Sequence, residues 1–363
     1  MNNCLKISSW SIAAPIVAWL ILALSQLHFN LGNIESVLMA IGLVGAVLAA
    51  VHHAETIAHK LGEPYGTLLL ATSITVIEVG LILSLMLTDG PETAALARDT
   101  VFAAVMIILT GIVGLCLLIG GILYKEQVFK LHGANVSLST LAAIVVLTLI
   151  LPNYTLTTTG PIYSTSQLAF IALVSLVLYG SFVFVQAVRH RNYFLDATDN
   201  SEQYLDNQNK VTNIEAYVSA GLLLLSLTAV VLLAKSLAPT IENFVRLIHA
   251  PHQLVGVIIA SIVLLPEGLA AVRAARKNMF QTSLNLALGS ALASIGLTIP
   301  AVAILSLITG WTLILGIDMK STVLLLLALF VNAISLATGR TNILQGVILL
   351  VVFGVYLFTT VVP

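Results

Sequence analysis

Long apolar runs, separated by short polar connections, recur along the whole sequence. Most runs are about 17–25 residues long, which is the length that an α-helix needs to cross the hydrocarbon core of a bilayer. The pattern therefore predicts an all-α polytopic membrane protein with about 11 transmembrane helices. The predicted helices lie near 10–28, 34–54, 64–88, 99–124, 137–152, 166–188, 214–236, 253–275, 280–308, 321–338 and 343–362.

Two stretches are less regular. The first run resembles a signal peptide, but its roughly 19 apolar residues exceed the about 7–15 of a typical signal h-region, so we expect an uncleaved helix. The segment 311–317 is apolar but too short to span, which is typical of a re-entrant or interfacial segment.

Composition supports this fold class. Of the 363 residues, 59% are hydrophobic and 9% are charged, against about 25% charged in soluble domains. The net charge of −1 provides no basic surface for nucleic acid. Cys4 and Cys116 have neither metal-ligand nor disulfide spacing. We therefore expect a lipid-embedded protein without a cofactor, a nucleic-acid partner or enzymatic activity, and a homo-oligomer is compatible with the sequence.

The lysines and arginines of the connections indicate the orientation. If the N-terminus is cytoplasmic, eleven lie inside and four outside, which is the asymmetry of the positive-inside rule. We therefore expect a bacterial inner-membrane protein with a cytoplasmic N-terminus and a periplasmic or extracellular C-terminus. The inside group is Lys6, Lys60, Lys125, Lys130, Arg189, Arg191, Lys210, Arg273, Arg276, Lys277 and Arg340, and the outside group is Arg98, Lys235, Arg246 and Lys320.

The longest polar connection, near 189–213, separates six predicted helices from five. Without the first helix each half has five, and an odd number turns the second half upside down, as in inverted-repeat transporters. The acids of this connection make either a solvated linker or a patch that attracts cations toward an entrance; they are Asp196, Asp199, Glu202 and Asp206. The expected units are an N-terminal helix at 1–30, a first repeat at 31–190, an acidic cytoplasmic linker at 191–213 and a second repeat at 214–363.

The second helix of each half carries an acid near its middle, Glu78 in the first half and Glu267 in the second. An Ala-Thr or Ala-Ser pair precedes each acid by seven and six residues. An acid in an apolar span is costly and by default marks an ion or proton site. Because inverted repeats place their sites near the midplane, we expect the two carboxyls to meet there.

Two close carboxylates compete for protons and cations. At about 4 Å and an effective dielectric constant near 20 they repel by roughly 4 kcal/mol, so the empty pair is expected to keep at least one proton at neutral pH. A bound cation would reverse that preference and expel protons. The pair is therefore a chemical basis for antiport, provided that the site is exposed to the two sides in turn.

Side-chain oxygens near the acids would complete an oxygen-rich site. Thr75 lies one turn before Glu78, and Pro266 removes a backbone donor directly before Glu267. Hard oxygen ligands favour calcium, sodium or protons over zinc or copper. The helix near 280–308 carries a narrow stripe of small and polar side chains at helical intervals, which is either a binding surface or a packing surface. The stripe contains Ser283, Ala287, Ser290, Ser294 and Thr298, with Asn285 nearby.

A histidine-rich segment lies at the end of the second predicted helix. His52, His53, Glu55 and His59 lack the HExxH order of a metalloprotease. They are interpreted as a wet segment at the membrane surface or, alternatively, as a pH or cation sensor. Glu63, which follows them, is interpreted as a solvated acid at a helix start.

Two segments, GEPYGTLLLATSITVIE and LLPEGLAAVRAARKNMFQTSLNLALGSALASIGL, resemble the signature repeats of cation/proton exchangers, the CAX branch of the calcium:cation antiporter superfamily, and in particular the bacterial ChaA type. The resemblance implies that Glu78 and Glu267 bind the cation and the proton, that Ser290 lies near the site, and that Glu63 lies near the cytoplasmic entrance. The chain departs from the family where Gly-Asn usually precedes each acid, since it has Ile74-Thr75 and Val263-Leu264.

We therefore expect a proton-coupled antiporter that exports Ca²⁺ in exchange for H⁺ by alternating access. Because the chain lacks the Gly-Asn pairs, a Na⁺ or K⁺/H⁺ antiporter with little Ca²⁺ selectivity is the alternative. A passive cation channel would instead need an open pore lined by carboxylates, and an intramembrane metalloenzyme would need the histidine cluster as ligands. Cations, protons and the lipid bilayer are the expected partners.

Overall fold

The computed structural model describes residues 8–26, 33–62, 65–195, 211–248, 251 and 253–362. These residues form eleven helical segments, one for each predicted run, so the predicted fold class is confirmed. Nine are long and apolar enough to cross a membrane, and two are shorter apolar helices. They are α1 (Ser9–Gln26), α2 (Asn33–Leu61), α3 (Tyr65–Asp89), α4 (Leu96–Tyr124), α5 (Leu131–Tyr154), α6 (Thr165–Arg189), α7 (Asn213–Leu247), α8 (Gln253–Arg276), α9 (Phe280–Thr309), α10 (Met319–Ser335) and α11 (Ile343–Val361).

Three of these helices are not regular throughout. A π-helical segment, Ile107–Ile112, interrupts α4. In α5 the π turn Val146–Ile150 precedes a final 3₁₀ turn, Leu151–Tyr154, and α6 ends in the π turn Val185–Arg189. A π turn inserts one residue and frees backbone groups from the i→i−4 ladder. In α4 the side chain of Asn332 compensates, because its Nδ2 donates to the carbonyl of Leu109 at 3.0 Å.

The sequence misplaces the ends of several helices and the form of one connection. Helix α2 continues to Leu61, beyond the predicted end near 54, and α5 begins at Leu131, before the predicted start near 137. Helix α7 continues to Leu247 through Pro239, beyond the predicted end near 236, since its extra turns pack along α2. The segment 311–317 is not helical. Ile314 forms a β-bridge with Ile162, and Leu315 is fully buried, so this apolar stretch is a partly buried, non-helical connection between α9 and α10.

The two halves hold each other at both ends of the bundle. At one end Phe129, between α4 and α5, donates its backbone N–H to Gly339, between α10 and α11, at 3.0 Å. At the other end Leu315, between α9 and α10, donates to Pro161, between α5 and α6, at 3.2 Å. Each half therefore pairs its third connection with the fourth connection of the other half, which is the relation that inverted repeats produce.

The basic residues separate between the two ends as the sequence predicts. Lys60 donates to the carbonyl of Val211 at 2.8 Å, and Lys130 donates to that of Asn192 at 2.7 Å. We call this end, which also contains Arg276 and Arg340, the basic end. At the opposite end Arg98 and Lys320 donate to the carbonyls of Gly316 and Thr359.

Helix α9 lies at the centre of the bundle. It packs against α3, α5, α6 and α8, and most of its residues are buried. Gly296 allows one of these neighbours to come close, because a Cβ at this position would lie 2.8 Å from the Cβ of Tyr179 in α6. The polar side chains of α9 therefore face other helices rather than lipid.

Candidate functional site

Two carboxyl groups are buried beside α9. Glu78 in α3 and Glu267 in α8 are each 3% exposed. Ser294 donates its hydroxyl to Glu78 Oε1 at 2.7 Å, and Ser290 donates its hydroxyl to Glu267 Oε2. The two serines are four residues apart, about 6 Å along the helix axis. Helix α9 therefore holds the two carboxyls on consecutive turns of one face.

The positions of the acids follow from the inverted repeats. Glu78 lies thirteen residues after the start of α3, and Glu267 lies fourteen residues after the start of α8. Because the halves run in opposite directions through the bundle, these midpoints coincide. The two helices are in contact. The structure thus places the two acids beside adjacent turns of α9, and that they form one cation and proton site stays a prediction.

Neither carboxyl has a basic partner. Ion pairs lie near the two ends of the bundle, where Arg98 pairs with Asp99 and Arg340 pairs with Glu126. Within the described ranges, no lysine, arginine or histidine pairs with Glu78 or Glu267. A buried charge needs compensation, since removing it from water costs several kcal/mol. Protons or a bound cation must therefore supply the positive charge.

The atoms around the acids are hard oxygen ligands. The Thr75 hydroxyl donates to the carbonyl of Ala71 at 2.9 Å and keeps its lone pairs. Pro266 has no N–H, so the carbonyl of Ile262 lacks its usual helical donor. Among the described side chains, no group of three or more His, Cys, Asp or Glu residues is arranged to hold a metal ion. The site is therefore a pair of carboxylates supported by hydroxyl and carbonyl oxygens.

A small pocket borders Glu267 on the side of the basic end. Its walls come from the start of α3, the end of α6 and the start of α9. Glu78 is not among its described lining residues. The pocket is lined by Leu68, Ala71, Tyr179, Phe182, Gln186, Glu267, Asn285, Leu286 and Gly289.

A second pocket lies at the opposite end and is built from the corresponding elements of the other half. The start of α8, the start of α4 and the end of α11 contribute Gln253, Asp99 and Tyr356. The ion pair between Arg98 Nε and Asp99 Oδ1, 2.8 Å long, lines it. Neither glutamate is among its described lining residues. Only the pocket toward the basic end includes a carboxyl of the pair.

The remaining predicted ligand, Asn285, lies at the outer part of the Glu267 pocket. Its Nδ2 donates to the carbonyl of Phe194, and its Oδ1 accepts from Gln281 Nε2 at 2.9 Å. It makes no hydrogen bond to either glutamate. The structure thus brings Ser290 and Ser294 against the acids, keeps Thr75 buried one turn before Glu78 in α3, and leaves Asn285 on the wall of the Glu267 pocket.

The histidines lie apart from this site. His53 is fully buried, and its Nε2 lies 3.0 Å from the carbonyl oxygen of Ser11 in α1. The ring of His52 is 5.2 Å from that of Trp10, while His59 is exposed. Two of the three therefore belong to the contact between α1 and α2. The predicted entrance residues Glu63, Asp196, Asp199 and Glu202 lie outside the described residues.

Sequence reasoning missed two residues of the pocket, Tyr179 and Gln186. Tyr179 lines the pocket, and Gln186 is only 4% exposed. The available signal was the amide of Gln186 itself, because it is a polar residue inside the apolar run near 166–188. Nothing in the sequence separates this amide from one that faces the membrane surface.

Comparisons with known proteins agree with this architecture. The model of the sodium/calcium exchanger protein family matches residues 34–188 and 218–362. The chain is 44% identical over 356 residues to the putative ionic transporter y4hA of Sinorhizobium fredii, covering 98% of this chain and 96% of that protein. It is 33% identical over 352 residues to the sodium-potassium/proton antiporter ChaA of Escherichia coli, covering 96% and 95%.

A solved structure is similar over nearly the whole chain. The crystal structure of the H⁺/Ca²⁺ exchanger CAX superimposes with a TM-score of 0.73 at 16% identity, covering 96% of this chain and 87% of that one. At this identity the similarity shows a common fold.

Proposed function

This chain belongs to the sodium/calcium exchanger protein family, as its two signature segments predict, and we propose that it exchanges cations for protons across the bilayer at Glu78 and Glu267. The observation that carries the assignment is the pair of buried acids from opposed repeats, each bonded to a serine of α9 and neither paired with a basic residue of the part of the chain that the structure describes. The site lacks fixed positive charge, so its occupancy must alternate between protons and a cation.

The exchange step follows from charge balance. Two unprotonated carboxylates about 4 Å apart repel by roughly 4 kcal/mol at an effective dielectric constant near 20. Protons remove this repulsion in the empty site, and a cation between the carboxylates removes it in the loaded site. Binding of the cation therefore releases protons from the carboxyls, and the serine hydroxyls turn their oxygens toward the cation without losing their own protons.

Alternating access connects this step to transport. The pocket beside Glu267 lies on the side of the basic end, which the positive-inside rule assigns to the cytoplasm. We infer that cations reach Glu267 from this side, and that a second arrangement exposes the acids to the opposite side, where the Arg98–Asp99 pair lines another pocket. We place the protein in the inner membrane of a bacterium, with a cytoplasmic N-terminus, and assign the acids near 196–202 and Glu63 to the attraction of cations toward this side.

Calcium is the proposed exported cation, and sodium or potassium is the second candidate. Two carboxylates match the charge of a divalent ion, which favours calcium. The second candidate has its own observation, since Thr75 and Leu264 stand where the family usually has asparagine, leaving fewer amide oxygens around the ion. The ChaA relative, which is named a sodium-potassium/proton antiporter, also agrees with the second candidate.

Everted membrane vesicles loaded with a pH-sensitive dye test this assignment. Addition of calcium, sodium or potassium should release protons from vesicles with the wild-type protein. Glu78→Gln and Glu267→Gln should abolish the signal for every cation, because each removes a charge that the cation needs. Glu126→Gln is the matched control, since Glu126 is exposed and pairs with Arg340 at 3.6 Å far from the site. Undiminished proton release in either glutamine variant at the site would refute the assignment.

A further inference from the structure

The amide of Gln186 has an unusual position in the cytoplasm-facing pocket. Its side chain is 4% exposed, and its Oε1 has no hydrogen-bond partner among the described residues. An unpaired buried carbonyl oxygen costs about 1–3 kcal/mol, so such an atom needs an explanation. Gln186 lines the same pocket as Glu267, which places this oxygen where an incoming ion would pass.

The π turn at the end of α6 directs this side chain. Gln186 is the second residue of the segment Val185–Arg189, and the turn is closed by a bond from His190 N to Val185 O at 2.8 Å. π turns are frequent at functional sites because the inserted residue changes the direction of the side chains. Here Gln186 shares the pocket wall with Tyr179 and Phe182 on the same helix.

A second amide lines the same pocket. Asn285 Oδ1 accepts one hydrogen bond from Gln281 and retains a lone pair. The other lining residues are mostly apolar. Uncharged amide oxygens can replace the hydration water of a hard cation without holding it as strongly as a carboxylate does.

We propose that Gln186 and Asn285 form an outer cation site, at which a partly hydrated calcium, sodium or potassium ion exchanges water for amide oxygens before it reaches Glu267. This inference rests on the proposed exchange function. A neutral amide binds the cation but does not take up a proton at physiological pH. Gln186 therefore controls the affinity for the cation on the cytoplasmic side and leaves the proton dependence to the two glutamates.

Kinetics in everted vesicles test the outer site, because their cytoplasmic face is accessible. Initial rates of proton release are measured against cation concentration at several pH values. Gln186→Leu, which removes the oxygen at similar volume, should raise KM for the cation about tenfold, equivalent to about 1.4 kcal/mol. The maximal rate and its pH dependence should stay within twofold of wild type. Gln186→Asn should give an intermediate KM. Asn192→Ala is the matched control, since this amide is exposed at the same end.

A labelling measurement gives an answer that does not depend on transport. A cysteine is placed at Gly289, where a Cβ has no atom within 4 Å, in a background with Cys4→Ser and Cys116→Ser. The cation should slow the reaction of Gly289→Cys with a small cationic methanethiosulfonate reagent. Adding Gln186→Leu should raise the cation concentration that gives half-maximal protection from labelling, here called the protecting concentration, about tenfold.

The outcomes separate the two proposals. If the wild type exchanges cations for protons, but Gln186→Leu leaves both KM and the protecting concentration within twofold, the outer site is wrong and the exchange function stands. An altered pH dependence with unchanged KM also overturns the outer site, since it assigns Gln186 to the protons. If the wild type shows no exchange, the proposed function itself fails.

Discussion

Removing the hydroxyl of Ser294 should weaken cation binding by a defined amount. In Ser294→Ala, Glu78 loses a hydrogen bond of 2.7 Å whose two side chains are at most 3% exposed. A hydrogen bond to a charged group contributes about 1.5–3 kcal/mol. Because tenfold in affinity corresponds to about 1.4 kcal/mol, KM for the cation should rise roughly 10- to 150-fold.

The sign of this effect comes from competition with protons. The Ser294 hydroxyl stabilises the ionised carboxylate, which is the form that the cation binds, and its oxygen can also contact the ion. Without it, protons compete more effectively for Glu78. The rise in KM should therefore be larger at acidic pH than at alkaline pH.

Cation-evoked proton release in everted vesicles, measured from about pH 6 to 9, provides the assay. Ser294→Thr retains the hydroxyl and should recover part of the affinity. Ser137→Ala is the control, because Ser137 is buried but donates to the carbonyl of Gly133 within its own helix. A KM for Ser294→Ala within twofold of wild type at every pH would refute the reasoning that this hydroxyl supports the ionised site.

Three further predictions concern packing and the linker. Gly296→Ala should destabilise the protein by about 1–3 kcal/mol, because the new methyl group lies 2.8 Å from the Cβ of Tyr179. The control is Gly289→Ala, whose methyl group faces open space and should leave thermal unfolding in detergent unchanged. Equal melting temperatures of the two variants would contradict this. Asn332→Leu should lower the melting temperature, since the loss of its donor to Leu109 costs about 1–3 kcal/mol, and unaltered melting would show that the π segment does not depend on it. Neutralising the linker acids Asp196, Asp199 and Glu202 should raise KM for the cation more at low salt than at high salt, because salt screens the attraction between these acids and the cation. An equal effect at both salt concentrations would show that the linker is only a spacer.

The sequence predicts the helices well because the bilayer limits their length and composition. Each of the eleven apolar runs is a helix, and the positions of Glu78 and Glu267 within matching runs predict that both acids lie at the same level of the bundle, where Ser294 and Ser290 of α9 contact them. The end of α7 was missed for a physical reason. Pro239 and the polar residues around it are typical of a helix end, but packing against α2 continues the helix to Leu247.

The details of the pocket require tertiary packing. Periodicity groups Ser290 and Ser294 on one face of α9, but it does not show which acid each serine meets. The direction of Gln186 depends on a π turn, which has no signature in the local sequence. In the same way, the bond from Asn285 to Phe194 joins segments 91 residues apart and is not visible in either one alone.

Purified protein in liposomes tests the central claim of cation-for-proton exchange most directly. A pH gradient is imposed across the liposome membrane, and the cation is given at a higher concentration on the acidic side. Exchange for protons must then move the cation to the acidic side, against its own gradient. Cation and proton fluxes are recorded together while the membrane potential is clamped. The account predicts that the cation accumulates against its concentration gradient as the pH gradient dissipates, and that Glu78→Gln and Glu267→Gln abolish both fluxes. Cation movement that only equalises its own concentration and leaves the pH gradient intact would contradict the account and indicate a passive channel.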